Sequence, residues 1–320
     1  MNRRMMILLG TAACARALAQ VSAPPASAPL VVLVGGAPGT PGDVLARTIS
    51  APMAAELGQP VVVENRPGAA GTVALTAVSR GRADGNVVGL MGLQSAVAPA
   101  LIKAIAYDTL RDLAPVRQLT SVNNVLVVSP DSPWRTLDDL VNAGRKAPLA
   151  YASGGNATPA HLAAELFAQE SRVQLRHVPF GGAVAGVTAL LGGHVQLMFA
   201  TVPAVASQVR AGRLRALATS SPVRLALLPD VATLGELGWP GAVMRDWHGL
   251  VAASGTSADR VRQLSEAAAK VLAQDVVRER LAAHGLEPVR GSSPEAFRDW
   301  IGREMQLWSG IVQRSGMSIQ

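Results

Sequence analysis

The chain has 320 residues, a formal charge of +7, 49% hydrophobic residues and 16% charged ones. That balance suits a sizeable buried core and excludes a disordered chain. Three of the arginines, Arg3, Arg4 and Arg16, fall in an apolar leader, and without them the charge is +4. The remaining basic residues are scattered rather than clustered, so no nucleic-acid partner is expected.

Met1-Asn-Arg-Arg is a positively charged start, and residues 5–15 form an apolar stretch too short to span a bilayer. Ala17-Leu18-Ala19 fits a small-x-small cleavage site. Residues 1–19 therefore read as a signal peptide cleaved near Ala19, followed by a flexible Ser/Ala/Pro spacer at 20–29. Export through a twin-arginine signal at Arg3-Arg4, or lipid attachment at Cys14, are the alternatives. Cys14 is the single cysteine, so the mature chain has neither disulfides nor thiolate chemistry.

Residues 30–34 are a continuous apolar run, as expected of a strand buried on both faces. A glycine-rich loop at 35–42 leads into a helix beginning at Asp43, with Leu45, Ile49, Met53 and Leu57 on one face and Gly58 as its stop. A strand at 61–63, a loop Glu64-Asn-Arg-Pro-Gly-Ala-Ala-Gly71, a helix at 72–80 and a strand at 87–91 follow. This alternation predicts an α/β fold with a doubly wound, mostly parallel sheet flanked by helices.

Next come a strand at 125–128, a helix at 137–143 and a short strand at 149–151. The loop Tyr151-Ala-Ser-Gly-Gly-Asn-Ala-Thr-Pro159 leads into a helix at 161–169, with Thr158 read as its N-cap and Pro159 as its first helical residue. A loop at 176–182 precedes a helix at 183–191. A strand at 195–199, a turn at 200–203 and strands at 214–219 and 247–252 follow. Two tail helices are expected, at 258–283 and 294–315, the second with Phe297, Ile301, Trp308, Ile311 and Val312 as a core stripe.

Three loops, at 35–42, 152–157 and 179–182, each run into a helix start. Such a start offers outward N–H groups backed by partial positive charge, which attracts a carboxylate or phosphate without any lysine or arginine. Ligands of open α/β sheets gather at such loops. No dinucleotide or Walker spacing is present, and no nucleophile elbow surrounds Ser153. A Ser153–His161 pair is the enzymatic alternative. The five histidines lack metal-ligand spacing, and no cofactor is expected.

Several blocks resemble one family: Glu64 to Gly71, Tyr151 to Phe167, His177-Val-Pro-Phe-Gly-Gly182 and Leu190-Leu-Gly-Gly-His-Val-Gln-Leu-Met-Phe199. Gly212-Arg-Leu-Arg-Ala-Leu-Ala218, Leu228-Pro-Asp-Val-Ala-Thr233 and Trp247-His-Gly-Leu250 with Gly255-Thr256 extend the match. The chain is similar to the Bug family, the periplasmic substrate-binding proteins of tripartite tricarboxylate transporters. The resemblance implies a two-lobed, type II-like periplasmic binding fold, with lobe 1 at 30–127 and 224–320 and lobe 2 at 128–223. It implies a monomer that closes over a small carboxylate and meets membrane subunits of a transporter, or a membrane sensor. By position it carries ligand contacts to Ala37, Pro38, Gly39, Thr40 and Asp43 in the first lobe. In the second it carries them to Ser153, Gly154, Asn156, Thr158, His161, Phe180, Gly181, Ala200 and Thr201. Two departures stand out: Gly35-Gly36-Ala37 replaces the family's Pro-Phe-Pro, and Ala200 stands where many members have Asp. Asp43 is ambiguous, since it would suit a helix start yet repel a carboxylate.

Overall fold

The computed structural model describes residues 28–315, so the leader, Cys14 and most of the spacer lie outside the described residues. The strand at Leu30–Val34 (β1), the helix at Pro41–Leu57 (α1), Val61–Asn65 (β2), Thr72–Ser79 (α2) and Val87–Gly92 (β3) open the chain. Helix Leu93–Leu101 (α3) and strand Leu113–Val122 (β4) lead to Asn124–Val128 (β5), with Asn123 alone between the two strands. Then come Leu137–Lys146 (α4), Leu149–Ser153 (β6), Pro159–Ser171 (α5), Leu175–Pro179 (β7) and Ala183–Leu191 (α6). Leu197–Thr201 (β8), Val202–Arg210 (α7), Arg215–Thr219 (β9) and Asp246–Ala253 (β10) follow, and Ala258–Ala273 (α8), Asp275–Ala283 (α9), Leu286–Pro288 (β11) and Pro294–Ser315 (α10) complete the described chain.

The strands form two sheets, each flanked by helices, giving the two-lobed α/β fold expected. The first runs β11-β4-β10-β3-β1-β2 and the second β7-β6-β8-β5-β9. Most strands of each sheet share a direction. In the first sheet β10 and β11 run against the rest, and in the second β5 does. The chain passes from the first sheet to the second at Asn123 and returns between β9 and β10.

The core follows from strand periodicity. Leu30, Val32 and Val34 of β1 pack with α1, α8 and α9 on one face of the first sheet, while Leu33 joins the opposite face. Val125 and Val127 of β5 pack toward α6 and α7, and Leu126 and Val128 toward the other side. These inner faces belong to one continuous cluster holding Tyr151, Phe167, Phe199 and Trp247 with Phe297, Ile301, Trp308, Ile311 and Val312 of α10. The expected α10 stripe is therefore core. Gln169 of α5 also donates to the Ile311 carbonyl (3.0 Å), tying α10 to the second sheet's helices.

Several local expectations are corrected. The loop at 176–182 contains β7, an edge strand where Arg176, His177 and Pro179 are tolerated because one side needs no ladder partner. The turn at 200–203 opens α7, since Pro203 in a first helical turn forfeits only an N–H that has no helical partner. α3 and β4 escaped the sequence pattern. β4 carries Pro115 beyond the three residues that β11 covers, opposite Val251 of β10 where the ladder shifts register, an irregularity that accommodates a residue without an N–H. The long tail helix breaks at Gln274, which adopts extended dihedrals. Among the described residues no helix is long and apolar enough to cross a membrane.

Candidate functional site

A cavity of about 250 Å³ lies between the carboxyl ends of strands from both sheets. Its wall is built chiefly from helix starts. Thr40, Pro41 and Gly42 come from α1, Thr158, Pro159 and Ala160 from α5, and Gly182 and Ala183 from α6. Ala200 and Thr201 end β8 just before α7, and Leu93, Gln94 and Ser95 begin α3. Val34, Leu90 and Met198 supply apolar surface, and Asp246 and His248 of β10 complete the wall. Among the described residues no lysine or arginine lines it.

Thr40, Thr158 and Thr201 share one construction: an extended N-cap residue followed by a proline in the first helical turn. None of the three side chains caps its helix. The Thr40 hydroxyl donates to the Ala37 carbonyl (2.8 Å) and the Thr158 hydroxyl to the Gly155 carbonyl (2.8 Å). The first-turn N–H groups are thereby left to whatever occupies the cavity, with the helix dipoles behind them. Thr158 stands at the N-cap position as expected, but its role is to pin the preceding loop. Thr158→Ala should therefore lower stability by about 1 kcal/mol in denaturant titrations and loosen carboxylate binding. Unchanged affinity would remove this loop from the site.

The loops meet closely. A Cβ on Gly35 would lie 2.5 Å from the Gly71 Cα, so only glycine allows the 35–42 loop to touch the 64–71 loop.

Of the residues carried over by resemblance, Thr40, Gly154, Thr158, Ala200 and Thr201 line the cavity. Ala37, Pro38, Gly39, Asn156 and Gly181 are exposed and outside its wall. Phe180 instead packs against the core behind the second sheet. Asp43 is buried and accepts from the Gly39 N–H, the Arg47 Nε and the Asn65 amide, each at 2.9 Å. Burial pushes its carboxyl up, but Arg47 and the two other donors outweigh this and hold it below the usual range. Asp43 thus clamps the first loop from behind.

Ser153 is fully buried. Its hydroxyl donates to the Gly155 carbonyl (2.9 Å) and lies 2.6 Å from His177 Nε2, so its imidazole neighbour is His177 and not His161. His161 stacks on His177 at 4.0 Å, and His177 on Tyr151 at 4.9 Å. His161 Nδ1 accepts from the Ala157 N–H (3.0 Å), and the Tyr151 hydroxyl donates to Glu165 (2.7 Å). Together these rings form a support beneath the second-lobe loop.

Burial, then the neighbouring His177, pushes His161 down to about 4. An imidazole held below its unfolded value of about 6.5 contributes stability above that pH and loses it on acidification. Wild-type stability should therefore fall relative to His161→Gln between about pH 6.5 and 4. Parallel pH–denaturation curves would contradict this.

Sequence reasoning missed Gly71, Gln94, Ser95, Gly182, Ala183, Asp246 and His248 as wall residues. Gly182 and Ala183 were within reach, since they end an anticipated loop and begin its helix. Gly71 ends the anticipated 64–71 loop, and the others enter through strand order, which places β10 beside β3 and so beside the start of α3. Among the described residues no group of His, Cys, Asp or Glu could hold a metal ion.

Two sheets joined by two crossovers, with helix starts from both converging on one cavity, define the class of two-lobed solute-binding proteins. Residues 45–317 match the tripartite tricarboxylate transporter family receptor, TctC, and the chain belongs to that family. Protein BugT of Bordetella pertussis (strain Tohama I) is 34% identical over 91% of this chain and 90% of its own length. MatC of Rhodopseudomonas palustris, solved with bound malate, matches with a TM-score of 0.76 and 30% identity over 89% of this chain and 98% of that one. An R. palustris protein solved with adipate matches with a TM-score of 0.79 and 28% identity, covering 91% of this chain and 98% of the other.

Proposed function

We propose that the protein captures a small organic carboxylate between its lobes in the periplasm and delivers it to membrane subunits of a tripartite tricarboxylate transporter. The observation that carries this reading is the convergence of uncapped helix starts from both sheets on one cavity without a cationic side chain among its described lining residues. The malate and adipate held by its structural relatives are of the same chemical kind. The lobes follow the two sheets: lobe 2 begins at the Asn123 crossover rather than at 128, so that it holds all of β5, and it reaches past 223, since Thr233 pairs with Thr219 of β9; lobe 1 holds the remainder. Each lobe supplies part of the wall, so the ligand favours the closed arrangement over the open one. The protein acts as an exported monomer.

The reading is one of binding and not of turnover. Ser153 is buried outside the cavity wall, and its hydroxyl is engaged by the Gly155 carbonyl and N–H as well as by His177, so it is not presented to a ligand. A thermal-shift screen of the leaderless protein against mono-, di-, tri- and aromatic carboxylates tests the proposal. A ligand at 100 times its dissociation constant should add about 2.7 kcal/mol, and a flat response across the panel would defeat it.

A further inference from the structure

A second cavity, of about 740 Å³, lies between α8, the start of α10 and the stretch of β4 that β11 leaves uncovered. It shares no described lining residue with the cavity between the lobes. Arg117 of β4 stands in its wall as a half-buried guanidinium. Its Nη1 donates to the Ser265 carbonyl (3.4 Å) and hydroxyl (3.2 Å), and its Nε is buried with no hydrogen-bond partner. Burial pushes Arg117 down from the usual arginine range, and no acid among the described residues offsets that effect. The acids in the wall, Glu266, Glu295 and Asp299, are all exposed, and Glu295 is held by Ser293 and by the charge of Arg262. The two other cations there are engaged elsewhere, Arg262 with Asp259 and Arg298 with the Leu110 carbonyl (2.8 Å).

The groups around Arg117 leave donors in surplus. Ser265 is 3% exposed and its hydroxyl accepts from Arg117, while the Ser292 hydroxyl accepts from the Gln118 N–H (3.1 Å). Each hydroxyl therefore keeps its own proton for a further acceptor. A guanidinium withdrawn from water without an anion is uncompensated, and its planar fork matches a carboxylate through two parallel hydrogen bonds. Beside it, Ala114, Pro115 and Val261 give the cavity an apolar side. We propose that this cavity is a second anion site, which takes an organic monocarboxylate with its head on Arg117 between Ser265 and Ser292 and its apolar body along Ala114, Pro115 and Val261.

The site is independent of the cavity between the lobes and selects differently. Its one inner charge is Arg117, and the exposed acids around it repel any further negative charge that the ligand carries. A single carboxylate on an apolar body satisfies the guanidinium and leaves nothing facing those acids. A di- or tricarboxylate satisfies it equally but sets its remaining charges against Glu266, Glu295 and Asp299. A purely structural Arg117, pinning α8 to β4 through Ser265, would matter to stability and respond to no anion.

The test is a titration of the leaderless protein with benzoate and with citrate, followed by NMR at the Arg117 Nε–H resonance, which is assigned through the residue's own side-chain carbons. Benzoate should shift that resonance saturably, with a dissociation constant of about 1 mM or tighter, and citrate should act about tenfold more weakly. Ala183→Asp alters only the wall of the cavity between the lobes and should leave the Arg117 response to benzoate intact. Calorimetry adds a second reading: Arg117→Gln should lose the heat of benzoate binding that Ala183→Asp retains, and Arg117→Lys, which keeps the charge without the fork, should recover part of it. The inference is overturned if benzoate produces no saturable shift at Arg117, if the shift vanishes in Ala183→Asp, or if citrate matches benzoate. It is overturned equally if the benzoate heat retained in Ala183→Asp also survives in Arg117→Gln. The wild-type resonance decides the matter even if the Arg117 variants do not fold, and none of these outcomes bears on capture between the lobes.

Discussion

Ala183→Asp should abolish carboxylate capture while leaving the protein folded. Ala183 is the first residue of α6, half-buried, and part of the cavity wall. For the fold, an acid in a first helical turn is favourable by roughly 0.3–1 kcal/mol. For the ligand it is the opposite: two unit charges about 4 Å apart at an effective dielectric near 20 repel by about 4 kcal/mol, which is a loss of about a thousandfold in affinity. Ala183→Asn separates charge from bulk and should retain most of the binding. Calorimetric titration beside a melting curve reads both effects. An Ala183→Asp protein that still binds within a few-fold of wild type would mean that the α6 start does not face the ligand.

Phe297→Ala should be the most damaging single truncation outside the site, costing about 3–5 kcal/mol in urea unfolding. Phe297 is fully buried on α10 and meets Trp247 edge-on, with ring centroids 5.5 Å apart at 89°. Beneath it lies Gly249, where an added Cβ would run into the Phe297 ring and come 2.7 Å from the Arg117 carbonyl. Gly249→Ala is therefore destabilising too, but the double variant should cost less than the two singles together, because removing the ring makes room for the methyl. Strict additivity, or a Phe297→Ala cost under about 1 kcal/mol, would show that the contact is not tight. The consequence reaches the site, since Asp246 and His248 flank Trp247 on the same strand.

What the sequence disclosed was mostly local. The β1–α1–β2 rhythm, the glycine stops and the α10 stripe followed from periodicity and caps, and three of the site's helix starts were visible as small-residue loops. The polar edge strand β7 and the proline-bearing β4 stayed hidden because edge position and neighbour length, not composition, make them strands. Asp43 and Ser153 are held by partners outside the cavity wall, and spacing locates a residue on a loop without saying which way it turns. Asp246 and His248 belong to a strand that joins the first sheet between β3 and β4, far from its partners in sequence. No local pattern anticipates that neighbour.

A site whose positive character comes from peptide dipoles has a kinetic signature different from one ringed with arginine. Dipole fields fade within about one helical turn, so they hold an anion that has arrived but do not draw one through solution. Capture should proceed without electrostatic steering, at rates set by diffusion into the open cleft and by closure, and with little sensitivity to ionic strength. A cavity without lysine or arginine among its described lining residues keeps capture steady where a charged funnel would slow as salt rises.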